Sequence, residues 1–144
     1  MNKDFKLFIQ QQNEAIEKEI LDTKKKFLLQ ILKRLTAHGR FVGSTPVDTG
    51  RAVTNWIMNE GSPSTSMKTK GFDKKLKGGE KATFSQGAMQ KAMTKLDKLK
   101  PFEITYLSNN LPYINRIMNK GWSDQTPPNS IELTIAEVIQ IMKQ

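Results

Sequence analysis

The chain has 144 residues, of which 37% are hydrophobic, 26% charged and 8% aromatic. That supports one ordinary domain with a modest core and excludes global disorder. Lysine and arginine number 23 against 14 aspartate and glutamate, a formal charge of +9, which fits nucleic acid, an acidic protein partner or a merely solvated lysine surface.

No cysteine occurs. This excludes a disulfide framework, thiolate metal sites and a cysteine nucleophile, and it fits a reducing cytoplasm. Met1-Asn2-Lys3-Asp4 lacks the apolar run of a signal peptide. No apolar stretch approaches the roughly 20 residues of a membrane span.

The first element reads as one helix from Lys3 to about His38. Phe5, Phe8, Ile9, Ile16, Ile20, Phe27, Ile31 and Leu35 recur at the spacings of a single apolar stripe. Gly39 is a natural stop, with Lys33, Arg34 and His38 in the last turns. Such a helix is roughly 50 Å long at 1.5 Å per residue, long for a domain this small. Its N-terminal half is expected to project towards another subunit; the alternative is a break near Asp22-Thr23.

Gly43 to Gly50 is rich in turn residues. Pro46 holds its predecessor extended, and Asp48 is expected to accept backbone N–H groups near Gly50 and Arg51. Ala52 to Asn59 predicts a strand, with Thr54, Trp56 and Met58 on one face and Val53, Asn55 and Ile57 on the other. Gly61 to Lys81 has little to bury and predicts a mobile loop or arm. Ala82 to Leu99 is helical in pattern, and Pro101 ends it. Phe102, Ile104 and Tyr106 alternate with Glu103, Thr105 and Leu107 as a strand does. A short helix is expected within Leu111–Asn119 and an irregular loop over Trp122–Ser130. Ser130 can cap a last helix whose stripe is Ile131, Ile135, Val138, Ile139 and Met142, although Ile131, Leu133 and Ile135 also alternate as a strand would.

Catalytic chemistry is missing from this pattern. His38 is the one histidine and, without cysteines, makes no typical zinc site. It lies beside no nucleophile motif and reads as a cation near a helix end. Glu14, Glu17, Glu19 and Asp22 read as a solvated helix face. Gly78-Gly79-Glu80-Lys81 is no phosphate-cradling loop. The expectation is a non-enzyme with no cofactor and no metal.

The arm carries Lys68, Lys70, Lys74, Lys75, Lys77 and Lys81 against two acids, +4 over 21 residues. Flexible lysines hold phosphates without reading sequence. With Phe72 as the sole aromatic and no arginine, base stacking and bidentate readout would be poor.

Two segments are more specific. Thr45-Pro46-Val47-Asp48-Thr49-Gly50-Arg51, followed by Asn55-Trp56, resembles the tail-completion and neck (head–tail joining) proteins of tailed phages, a broad group that includes lambda-type minor tail protein Z. There a Pro-Val-Asp-Thr-Gly-Arg turn leads into a strand with Asn-Trp. Asn109-Asn110-Leu111-Pro112-Tyr113 is similar to the family's strand-to-helix junction. Asn119-Lys120-Gly121-Trp122-Ser123-Asp124-Gln125-Thr126-Pro127 is similar to its following loop, with Asn119 in place of an acid, Thr126 in place of Ala, and Pro128-Asn129-Ser130 in place of Pro-Gly-Met. An Asp-Thr-Gly string also serves aspartic proteases. Those need a second copy of the motif or a symmetric partner chain, and a mostly helical, helix-first chain does not fit them.

The resemblance, over about residues 40–140, implies one α+β domain spanning 1–144. It has a long N-terminal helix, a small antiparallel sheet with helices packed on one face, and a flexible central arm. It implies a ring-forming virion subunit of the neck or tail region, assembled in the host cytoplasm, in about six or twelve copies between the portal or its adaptor and the tail. Pro46, Asp48, Thr49, Gly50, Arg51, Asn55 and Trp56 would set the fold. Trp56 and Tyr106 are expected in the core. Asn110, Pro112, Tyr113, Gly121, Trp122, Ser123, Gln125 and Pro127 are the candidate subunit interface. The lysine arm would meet DNA in the channel or a neighbouring protein. The alternative is a basic nucleic-acid-binding accessory protein.

Overall fold

Helix α1 runs unbroken from Lys3 to Thr36 in the computed structural model, which describes residues 2–41 and 43–144. The Asn2 side chain opens the helix by accepting the Asp4 N–H at 2.8 Å. No break occurs at Asp22-Thr23. The helix ends at Thr36, short of His38, because Ala37 is extended and Thr45 turns its N–H onto the Leu35 carbonyl at 2.9 Å. After α1 come helix α2 (Arg51–Thr54), strand β1 (Trp56–Glu60), helix α3 (Gly78–Met93) and a 3₁₀ turn at Leu96–Lys98. Strand β2 (Thr105–Asn109), helix α4 (Ile114–Met118) and helix α5 (Ser130–Met142) complete the α+β fold.

The two strands form one antiparallel pair, with Trp56 opposite Asn109, Met58 opposite Leu107 and Glu60 opposite Thr105. Strand side chains alternate, so Trp56, Met58 and Leu107 share one face. The C-terminal half of α1 packs there along two adjacent ridges. Leu28 and Leu32 meet Met58, Ala92, Leu96 and Leu99. Ile31 and Leu35 meet Trp56, Met118 and Val138. Thus α3 and the 3₁₀ turn close one side of α1, and α4 and α5 close the other. A third cluster of Val47, Val53, Leu76 and Ala88 seats the turn after α1 against α3.

Two cations of α1 tie it to its surroundings. The Lys24 ammonium donates to the carbonyls of Lys100 (2.7 Å) and Glu103 (2.6 Å) and lies 3.3 Å from the Glu60 carboxylate. It thereby fastens the helix to the open end of the sheet. Arg34 is buried; it donates to Gln30 Oε1 at 2.7 Å and lies 3.6 Å from Glu137 of α5. A buried guanidinium needs such partners, since an uncompensated charge there is strongly unfavourable.

Several expectations change. Ala52 to Asn55 is not strand: Arg51–Thr54 forms one helical turn, and β1 begins at Trp56. The first helix after the lysine segment starts at Gly78, not Ala82. Its Glu80 accepts the Lys77 N–H at 3.0 Å. That bond, with Lys74 nearby, holds the Glu80 carboxyl below its ordinary range, so the contact is complete at neutral pH and is lost only in acid. Strand β2 begins at Thr105, leaving Phe102 and Ile104 outside it, 69% and 66% exposed. Tyr106 is half-buried and sits opposite Asn59, off the core face. Ser130 is the first helical residue, with Asn129 at the cap position, and its hydroxyl donates to the Pro127 carbonyl. Helix α5 buries Ser130, Thr134 and Val138, while Ile135 and Ile139 of the expected stripe stay partly exposed.

Leu32→Ala, at a fully buried site shared by α1, β1 and α3, is expected to lower unfolding free energy by about 2–5 kcal/mol. Leu7→Ala, on the bare end of the same helix, should change it by no more than about 0.5 kcal/mol. Urea denaturation of both variants measures the contrast.

Candidate functional site

The two motif segments lie far apart in sequence and meet in space. Gln125 Oε1 accepts the Val47 N–H at 3.1 Å, and the Thr126 hydroxyl donates to the Ser44 carbonyl at 2.6 Å. Asn109 donates to the Ala52 carbonyl at 2.8 Å. Within the first segment, the buried Trp56 indole N–H donates to Thr45 Oγ1 at 2.8 Å, locking β1 to the turn that precedes it. Thr126, where the resembled pattern has alanine, thus adds a buried cross-link between the segments.

The bridged segments form the walls of an open cleft of about 820 Å³. Pro46, Asp48, Thr49, Gly50, Arg51 and Ala52 supply one wall. Tyr113, Ile117, Trp122, Ser123, Asp124 and Gln125 supply the other, and Phe72 and Lys75 reach in from the lysine segment. The Arg51 guanidinium lies 5.8 Å from the Tyr113 ring centre. Its Nε is buried, with no hydrogen-bond partner among the described residues. Arg116 stacks 4.6 Å from the Trp122 ring, and Trp122 is 67% exposed. A planar guanidinium lining an open cleft beside a tyrosine ring is suited to receive a carboxylate or carbonyl. An exposed tryptophan backed by a cation offers apolar area for a protein partner.

Two glycines shape the rim. Gly50 has φ +85°, and a Cβ there would stand 2.4 Å from the Phe84 ring, so α2 can start only from glycine. Gly121 has φ +68° and would meet Pro128 at 3.0 Å. Asp48 does not play its expected part: Thr49 Oγ1 accepts the Arg51 N–H, at 3.4 Å. The Asp48 carbonyl instead accepts the Leu76 N–H at 2.7 Å.

Asn55 proves to be a clamp. It is 1% exposed; its side chain donates to the carbonyls of Arg51 (2.8 Å) and Lys68 (2.9 Å) and accepts the Lys68 N–H at 2.7 Å. Asn110 donates to the carbonyls of Ser64 and Ser66. Together with the Asp48–Leu76 bond, these contacts hold the segment expected to be a mobile arm against the body. Of its lysines, Lys75 lines the cleft, Lys68 lies 5.8 Å from the Phe72 ring, Lys74 pairs with Glu80 at 3.4 Å, and Lys81 falls inside α3. Lys70 and Lys77 are exposed. Pro112 and Pro127 are exposed beside the cleft but do not line it.

The sequence marked Asn55 as a fold-setting residue but not as a clamp, placed Lys75 and Phe72 in the arm rather than at the cleft, and did not single out Arg116. Among the described residues, no group of three or more His, Cys, Asp or Glu could hold a metal ion, and no helix is long and apolar enough to cross a membrane. Comparisons with models of protein families, with curated proteins and with solved structures find no match to this chain.

Asn55→Ala removes three hydrogen bonds at once. It should weaken folding by about 1–3 kcal/mol and release the segment around Lys68. Limited trypsin digestion should then cut at Lys68 and Lys70 faster than in the parent chain, before the rest of the domain is degraded.

Proposed function

We propose that this chain is a head–tail joining subunit of a tailed phage particle, a ring-forming neck or tail-completion protein that seats on a portal or adaptor and receives the tail. One observation carries the reading. The two segments whose order and spacing bear the resemblance close a single cleft, as expected if they serve one contact. The cleft offers cations (Arg51, Lys75) and aromatic faces (Phe72, Tyr113, Trp122), which suit an acidic, aromatic-bearing segment of a neighbouring virion protein.

Its action is geometric. A repeated interface closes a ring, the ring leaves a channel for DNA, and the outer surface presents the same contact to the tail at every repeat. No covalent step is involved. The nucleic-acid alternative would use the exposed lysines of this segment, whose backbone is held at Asn55, Asn110 and Asp48 and whose Lys74 is paired with Glu80.

Particles assembled without this protein should accumulate as full heads beside free tails in electron micrographs. Arg51→Ala with Trp122→Ala should reproduce that phenotype with a folded chain. Normal tailed particles lacking the protein would overturn the reading. A salt-sensitive shift of short duplex DNA by the monomer, abolished by deleting Met67–Lys77, would replace it with a nucleic-acid role.

A further inference from the structure

Helix α1 carries one apolar stripe with an 11-residue repeat: Phe5, Ile16 and Phe27, and Ile9, Ile20 and Ile31. At about 100° per residue these six positions fall within an arc of about 80°. The repeat is close enough to the helical period for the stripe to run nearly straight. Its lower end is packed in this chain, where Ile31 is buried beside Val138 and Phe27 lies against the same cluster with Met142. The upper end is bare. Phe5 is 51% and Ile16 52% exposed, and residues 2–20 are exposed throughout. A face with the spacing of a packed stripe is thus left in water.

A matching vacancy exists on the same molecule. The seam between α1 and α5 holds two grooves with almost wholly apolar walls. One, of about 490 Å³, lies among Ile20, Phe27, Ile139 and Met142. The other, of about 260 Å³, lies among Phe27, Ile31, Trp56, Leu107 and Ile135. Together they make a valley between two helices, continuous with the bare stripe. Charge agrees with a partner of the same kind. Lys3 to Asp22 holds three lysines and five acids, a net −2, so the rest of the chain carries +11. The projection is therefore acidic, and the wider groove that would receive it is lined by Lys24 and Lys143 and by no acid.

We propose that this seam is the seat for the projecting helix of a second copy of this chain. The bare stripe of one copy lies in the α1–α5 valley of the other as a third helix, apolar face inward. The inference does not rest on the joining role and places the contact between copies away from the motif cleft.

Sedimentation velocity of the full chain over the micromolar range tests it. The wild type should associate reversibly. Ile9→Glu with Ile16→Glu spoils the stripe and leaves the valley; Ile135→Glu with Ile139→Glu spoils the valley and leaves the stripe. Each pair alone should weaken association at least about tenfold. Mixed, the two variants should form a one-to-one complex, because one intact stripe then meets one intact valley. Serine at the same positions asks the same question should a glutamate pair perturb folding in circular dichroism. A wild type that stays monomeric, a valley variant that associates like the wild type, or variants that fail to complement would overturn the proposal. None of these results touches the joining role, which depends on particles lacking the whole chain.

Discussion

Two of the three core clusters of this fold are built on the last three turns of one helix. Leu28 and Leu32 form one ridge of α1, and Ile31 and Leu35 form the next. Two parallel ridges can serve two sides, so a single helix organises α3 on one flank and α4 with α5 on the other. The sheet is only two strands wide and would be marginal alone. It is stable here because Trp56 and Met58 present one face to both ridges. The motif cleft inherits its geometry from that arrangement, since Trp56 is locked to Thr45 and Thr45 to the end of α1.

The same helix explains why the molecule looks unfinished. Its stripe keeps its period along the whole length, yet the chain covers only the C-terminal part. Apolar side chains spaced for packing and left in water are the ground for the proposed contact with a second copy. The motif cleft differs in character, with cations beside aromatic rings rather than a hydrocarbon valley. One surface suits a copy of the chain, the other a partner with acidic and carbonyl acceptors. A subunit that both repeats and joins would use two such surfaces.

Periodic signals in the sequence translated well into structure. The long helix was legible because its stripe is sustained over many turns, and Trp56 and Met58 were legible as a pair because alternation puts them on one face. Short segments were not. Ala52 to Asn55 carries β-branched and apolar residues that suit either state, and the left-handed Gly50 tipped it into a helical turn. Phe102 and Ile104 alternate as a strand would, but Lys24 captures the carbonyls of Lys100 and Glu103 and holds that stretch in a loop. In α5 the expected stripe holds at Val138, which is buried, but Ile135 and Ile139 stay partly exposed while Thr134, outside the stripe, is buried. The cleft was only half legible. Motif residues, read in the sequence as a fold-setting turn and a subunit interface, line both walls, but their meeting depends on Gln125 and Thr126 reaching residues about eighty positions earlier, and no local pattern announces that. Phe72 and Lys75 enter it because Asn55 and Asp48 hold their segment in place.

Helix α1 thus holds the chain's own core with its C-terminal half, and in the proposed dimer its N-terminal half packs on a second copy. Hydrogen exchange along this helix at low and high protein concentration tests it most directly. Slow exchange is expected over residues 28–36 at every concentration, and fast exchange over residues 5–20 in dilute solution that slows as the protein associates. Protection of both halves to the same degree in dilute solution, or an N-terminal half whose exchange ignores concentration, would contradict it.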